Sequence, residues 1–136
     1  MAKPKVFILE DDPSIAAAVR SSFEDEFELI AGEWSQAAVL QIHEQMPLVT
    51  LLALESSSNS AAEGYVRVLQ ELRQTGHGGK VIAYTESTER SLAVRAIQHG
   101  AYDVLSKPLD MSLLRQIIRR AARVADLERD GLGVTT

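Results

Sequence analysis

A chain of 136 residues with 14 basic and 19 acidic side chains, net charge −5, has the length of one domain around one core, and its acidic balance excludes a whole-surface electrostatic nucleic-acid binder. It contains no cysteine, which excludes disulfides and thiolate metal sites and fits a reducing compartment. The N-terminus MAKPKVFILEDD meets acid after only four apolar residues, too short for a signal-peptide core, and no segment approaches the ~20 apolar residues of a membrane span, so a cytoplasmic protein without membrane association is expected.

Lys5-Val6-Phe7-Ile8-Leu9 is a run of β-favouring residues ending in Glu10-Asp11-Asp12, the pattern of a strand buried on both faces. Asp12 and Pro13 then suit the N-cap and first turn of a helix whose inner face is Ile15, Val19 and Phe23. Residues 27–31 form a second strand candidate. Ala38, Ile42 and Met46 repeat the four-residue spacing of a helix, and Pro47 closes it ahead of a third strand over residues 48–54. Beyond a serine-rich stretch, Tyr65, Leu69 and Leu72 mark a third helix that ends at the glycine cluster Gly76-His77-Gly78-Gly79. Residues 80–84 form a fourth strand. Leu92, Ala96 and Ile97 lie on a fourth helix, residues 101–106 form a fifth strand, and Lys107-Pro108 stops it. A last helix starts near Asp110 with Leu114, Ile117, Ile118 and Ala121 inward and runs past the sheet through Leu127 to Arg129.

Five short apolar strands alternating with five amphipathic helices predict an α/β fold, a doubly wound, five-stranded parallel sheet of flavodoxin-like (βα)5 form with helices on both faces. Ligands of such sheets bind outside the carboxyl ends of the strands. That rule selects Glu10, Asp11 and Asp12 after strand one, Ala53 and Glu55 after strand three, Thr85 and Glu86 after strand four, and Lys107 after strand five. Carboxylates, a hydroxyl and a lysine at one edge are what a magnesium-assisted phosphoryl site requires. The bland alternative is that acidic residues there merely favour a helix N-terminus.

VFILEDDPSI, VIAYTE and GAYDVLSKPLD, in that order at three strand ends, resemble the receiver domain of two-component response regulators over about residues 4–125. The resemblance implies Glu10 and Asp11 as the metal-binding pair, Thr85 as the switch hydroxyl, and Lys107 as the phosphate-contacting lysine, with the Lys107-Pro108 bond cis. It also implies an aspartate at the end of the third strand that accepts a phosphoryl group from a partner kinase. Pro47 and LVTLLAL place that acceptor on Ala53, and alanine cannot be a nucleophile. Moving the role to Glu55 would shift the carboxylate about 6–7 Å along the strand, so Glu55 is expected in the loop. Val104 stands where the family often carries an aromatic switch residue. Tyr102 keeps an even offset from it and so the same side of the strand, but at the other end.

The expected function is therefore signalling through protein–protein interaction, not enzymatic, by an atypical receiver that is not phosphorylatable at the usual position. Any magnesium at Glu10 and Asp11 is expected to be weakly held, since one carboxylate is missing. By resemblance, the fourth helix, fifth strand and fifth helix carry the interface, at Ala93, Arg95, Tyr102, Asp103, Arg115 and Arg119, toward a histidine kinase, an output domain or a second copy. Residues 1–125 form the receiver, and 126–136 a C-terminal helix extension, linker or tail. The lengthened serine-rich loop and the Arg-rich final helix resemble receivers attached to AAA+ transcription activators.

Two alternatives remain open at the level of sequence. One is an ordinary receiver carrying an engineered aspartate-to-alanine change, part of a transcriptional regulator; the other is a flavodoxin-like module for a small anion or cofactor. TGHGGK lacks the spacing, the following hydroxyl and the strand-to-helix context of a phosphate-binding loop. His43, His77 and His99 show no ligand spacing and are expected in surface or turn roles. The arginines of the last helix are expected as a solvated face, with no direct nucleic-acid contact.

Overall fold

The computed structural model describes residues 3–54, 62–86 and 90–135; Glu55 and the serine-rich residues 56–60 lie outside them. The strands are β1 (Lys5–Leu9), β2 (Glu28–Gly32), β3 (Val49–Ala53), β4 (Lys80–Thr85) and β5 (Asp103–Ser106). The helices are α1 (Pro13–Phe23), α2 (Gln36–Gln45), α3 (Ala62–Thr75), α4 (Arg90–Gln98) and α5 (Met111–Thr135). All strand pairs are parallel and the order is β2-β1-β3-β4-β5, so the chain winds outward in both directions from β1.

Helices α1 and α5 pack on one face, over Val6, Ile8, Val49, Leu51, Ile82 and Tyr84, and α2, α3 and α4 on the other, over Phe7, Leu9, Leu52, Val81 and Ala83. The central strands β1 and β3 are buried throughout apart from Lys5, whereas the edge strands β2 and β5 are partly exposed, as a sheet covered on both faces requires. Each fully buried Phe, Leu or Ile in this core contributes about 2 kcal/mol through lost apolar surface.

Local chemistry sets the helix ends. The Asp12 carboxylate accepts from Ser14 N–H at 2.9 Å, with Pro13 in the first turn of α1, and Ser35 Oγ accepts from Ala38 N–H at 3.1 Å to cap α2. Met46 ends α2 in the left-handed region with φ 47°, and the chain turns into Pro47. Gly79, φ 67°, sits where a Cβ would collide with the Leu48 carbonyl, so the glycine cluster serves the α3–β4 turn.

The fifth strand is shorter than the 101–106 expected. Ala101 N–H donates to the Ala96 carbonyl at 2.9 Å and closes α4, and Tyr102 N–H donates to the Val81 carbonyl at 2.7 Å before pairing begins at Asp103. Strand alternation therefore does not reach Tyr102. It packs against the α1/α5 core while Val104 packs against the opposite one, which corrects the expectation that they share a side.

α5 stays tied to the domain to its last described side chains. Arg129 donates to the carbonyls of Met46 and Pro47 at 3.0 and 2.9 Å and of Gly76 at 3.4 Å, and Lys80 pairs with Glu128 at 3.0 Å. No helix among the described residues is long and apolar enough to cross a membrane.

Candidate functional site

The carboxyl ends of β1, β3 and β4 bring the selected residues together. Glu10 N–H donates to the Gly32 carbonyl at 3.0 Å, which turns its side chain into the pocket, where it is 5% exposed. One of its oxygens, Oε2, accepts from Asp12 N–H at 3.2 Å. The other, Oε1, accepts from the Tyr84 hydroxyl at 2.9 Å and lies 3.9 Å from the Lys107 ammonium. Lys107 Nζ also lies 3.8 Å from Glu86 and 5.5 Å from the centre of the Tyr84 ring. Burial first, then the negative charge of Glu10, pushes the Tyr84 phenol far above the ordinary tyrosine range, so it is a neutral donor at physiological pH.

Ala53 ends β3 at 1% exposure and pairs in register with Tyr84. Its carbonyl accepts from the Trp34 indole N–H at 3.1 Å, and Trp34 N–H donates to Asp11 Oδ1 at 2.7 Å. Thr85 is buried, and its carbonyl accepts from Lys107 N–H at 2.9 Å ahead of the cis Lys107-Pro108 bond. A cleft of about 480 Å³ opens beside Lys107 between α1 and the start of α5. Its apolar lining, Ile15, Ala18, Leu109 and Met111, is not a phosphate cradle.

Of the strand-end set, Glu10, Glu86 and Lys107 lie together, Asp11 is tied to Trp34 beside the Ala53 carbonyl, Glu55 lies outside the described residues, and Tyr84 and Trp34 are additions that sequence reasoning missed. Magnesium requires a near-octahedral shell of hard oxygens, and the described side chains supply only part of one. Both Glu10 oxygens hold other donors, Asp11 Oδ1 holds Trp34 N–H, and position 53 offers no oxygen on its side chain. Among the described residues no group of three or more acidic or histidine side chains is arranged to hold a metal ion.

The expected interface residues divide. Ala93 and Arg95 lie on α4, with Tyr102 and Asp103 at the start of β5. Arg115 and Arg119 instead reach the turn after α1: Arg119 grips Glu26 through two bonds at 2.6 and 2.7 Å, and Arg115 contacts Glu26 at 3.2 Å and the Ser22 carbonyl at 2.6 Å. These two are part of an intramolecular ion-pair network. Two of the histidines also meet although their spacing gave no sign of it. His43 Nδ1 lies 3.1 Å from His77 Nδ1, and His43 Nε2 lies 3.0 Å from Glu71; this links α2 to α3 and the following turn.

The family model of the response regulator receiver domain matches residues 6–119. The chain is 31% identical over 131 residues to the C4-dicarboxylate transport transcriptional regulatory protein DctD of Rhizobium meliloti, covering 88% of this chain and 25% of that protein. It is 25% identical over 118 residues to the probable C4-dicarboxylate response regulator DctR of Priestia megaterium, covering 85% of this chain and 50% of that one. The signal receiver domain of a putative Luxo repressor protein from Vibrio parahaemolyticus superposes with a TM-score of 0.82 at 28% identity, covering 93% of this chain and 95% of that one. The fold and the strand-end pocket define a signalling module of the doubly wound class. The chain belongs to the response regulator receiver domain family of two-component signal transduction, whose members typically bind magnesium at their phosphorylation site and interact with histidine kinases and output domains. It spans a quarter to a half of the length of these two curated relatives.

Proposed function

We propose that this receiver, in this form, does not accept a phosphoryl group at the usual strand-end position and acts by binding a protein partner. Ala53 carries the reading: by the resemblance it takes the acceptor position, it is buried, and a methyl has no nucleophile. Among the described residues Glu10 does not stand free to take over, because both of its oxygens accept hydrogen bonds and one faces the Lys107 ammonium.

The partner is a histidine kinase, an output domain or a second copy of the chain, docking on the α4–β5–α5 side. Val94 and Ile97 on α4 are 46% and 48% exposed beside Ala93 and Arg95, and Tyr102 and Asp103 follow in the chain, at the entry to β5. Such apolar exposure among polar neighbours is what a transient interface uses. The transcriptional regulators among the relatives support an output in transcription. In this reading residues 1–125 are the receiver, 126–136 are a C-terminal helix extension or a linker and tail, magnesium at Glu10 and Asp11 is weak, and the domain works in the cytoplasm without touching nucleic acid.

Incubation of the chain with a small acyl phosphate and magnesium, followed by intact-mass measurement, tests the first half. No phosphoryl mass gain is expected; a gain on the major species overturns it. Light scattering over a concentration series identifies whether the partner is a second copy.

A further inference from the structure

The pocket around Ala53 is filled from the neighbouring strand. Ala53 and Tyr84 are register partners on β3 and β4, so their side chains leave the sheet on the same face, and both belong to the core under α1 and α5. The Tyr84 ring is fully buried there and its hydroxyl reaches Glu10 Oε1 at 2.9 Å. Lys107 reaches the same oxygen from 3.9 Å.

We propose that Tyr84 is a built-in plug. Its ring takes the room beside position 53, and its hydroxyl, together with Lys107, satisfies the Glu10 oxygen that a magnesium ion would need, so the pocket is held in one metal-free arrangement. This rests on the reading of position 53 as non-accepting and goes further: returning a carboxylate to position 53 does not by itself restore the site. A new buried carboxylate would meet Glu10 and Asp11 as like charges. A metal able to offset them would still have to displace the Tyr84 hydroxyl and Lys107 from Glu10. The plug also bears on the origin of Ala53. A single engineered exchange accounts for the methyl but not for the tyrosine matched to it across the strands.

The test compares the wild type with Ala53→Asp, Tyr84→Val and the double variant. Trp34, the single tryptophan, reports on the pocket because its two N–H groups bond Asp11 and the Ala53 carbonyl. Magnesium chloride is titrated while Trp34 fluorescence is read, and each protein is then treated with a small acyl phosphate and weighed by intact-mass measurement. The double variant is expected to give a saturable fluorescence change and a phosphoryl mass gain, with Ala53→Asp alone giving neither at the same magnesium concentrations. If Ala53→Asp binds magnesium as tightly as the double variant, or if the double variant folds and binds none, the plug is overturned while the reading of the wild type stands. A phosphoryl gain on the wild type overturns that reading instead. Circular dichroism checks each fold; should valine at 84 unfold the domain, Ala53→Asp/Tyr84→Phe replaces the double variant. Removal of the hydroxyl alone is expected to tighten magnesium about tenfold over Ala53→Asp, and unchanged affinity overturns the role of the hydroxyl.

Discussion

Tyr84→Phe keeps the ring and removes the hydroxyl, which isolates the bond at the centre of the pocket. That bond runs 2.9 Å to a carboxylate oxygen, between a tyrosine 0% exposed and a glutamate 5% exposed. A hydrogen bond to a charged group contributes about 1.5–3 kcal/mol, and the acceptor left behind loses its donor, so the variant is expected to be about 2 kcal/mol less stable at pH 8. The pH dependence makes the expectation sharper. The folded phenol is held above the ordinary value of 10.0, mainly by burial, while in the unfolded chain it ionises near 10. The stability tied to its proton is fully present below pH 10 and is lost as pH rises from there toward the folded value. At pH 11 the loss from one such tyrosine is about 1.4 kcal/mol. The phenylalanine variant lacks this loss, and Tyr65, also raised by burial, titrates in both proteins and cancels. The stability gap should therefore shrink from about 2 kcal/mol at pH 8 to about 0.6 kcal/mol at pH 11. Urea unfolding followed by circular dichroism at both pH values measures it. A gap that stays constant would refute Tyr84 as a buried neutral donor, and no gap at pH 8 would refute the bond itself.

Arg129→Ala removes the donor shared by the Met46, Pro47 and Gly76 carbonyls and is expected to cost about 1–2 kcal/mol, a fall of roughly 4–8 °C in melting temperature for a domain of this size. An unchanged melting curve would mean that the end of α5 is not held to the sheet. Glu26→Gln breaks the bidentate pair with Arg119, whose guanidinium holds the Glu26 carboxyl below its usual range. That stability is present above the ordinary glutamate value and fades as pH falls through the depressed one. With both partners in reach of solvent, the variant should be about 0.5–1 kcal/mol weaker at pH 7 in low salt and indistinguishable near pH 2; a difference that persists in acid would contradict the pairing.

Much of the fold was legible because burial writes itself into the chain. β1 and β3 are covered on both faces, so they read as apolar runs, broken in β3 only by Thr50, and α1 announces its start through Asp12 and Pro13, whereas the Ser35 cap of α2 came only from the structure. The edges were read less well. β5 begins two residues later than its apolar run, because Ala101 and Tyr102 give their N–H groups to α4 and β4, a choice made by neighbours and not by propensity. The strand-end residues Glu10, Asp11, Thr85 and Lys107 could be singled out because they stand at or just past the ends of apolar runs. Tyr84 was hidden among those runs, since one more aromatic in a buried strand carries no mark of function.

The sequence by itself determined the alternation of elements and the parallel sheet, and its resemblance to receivers pointed to a methyl at the expected acceptor position. It could not determine what faces that methyl. The register of β3 against β4 depends on how α3 and the Gly79 turn after it pack, and it is this register that sets Tyr84 beside Ala53 and within reach of Glu10. The same holds for Arg115 and Arg119. Helical spacing could place them on an outer face, but only the packing of α5 against α1 gave them Glu26 as a partner. Contacts between residues distant in sequence follow from how whole elements dock, and docking is a property of the assembled core, with no local pattern to record it.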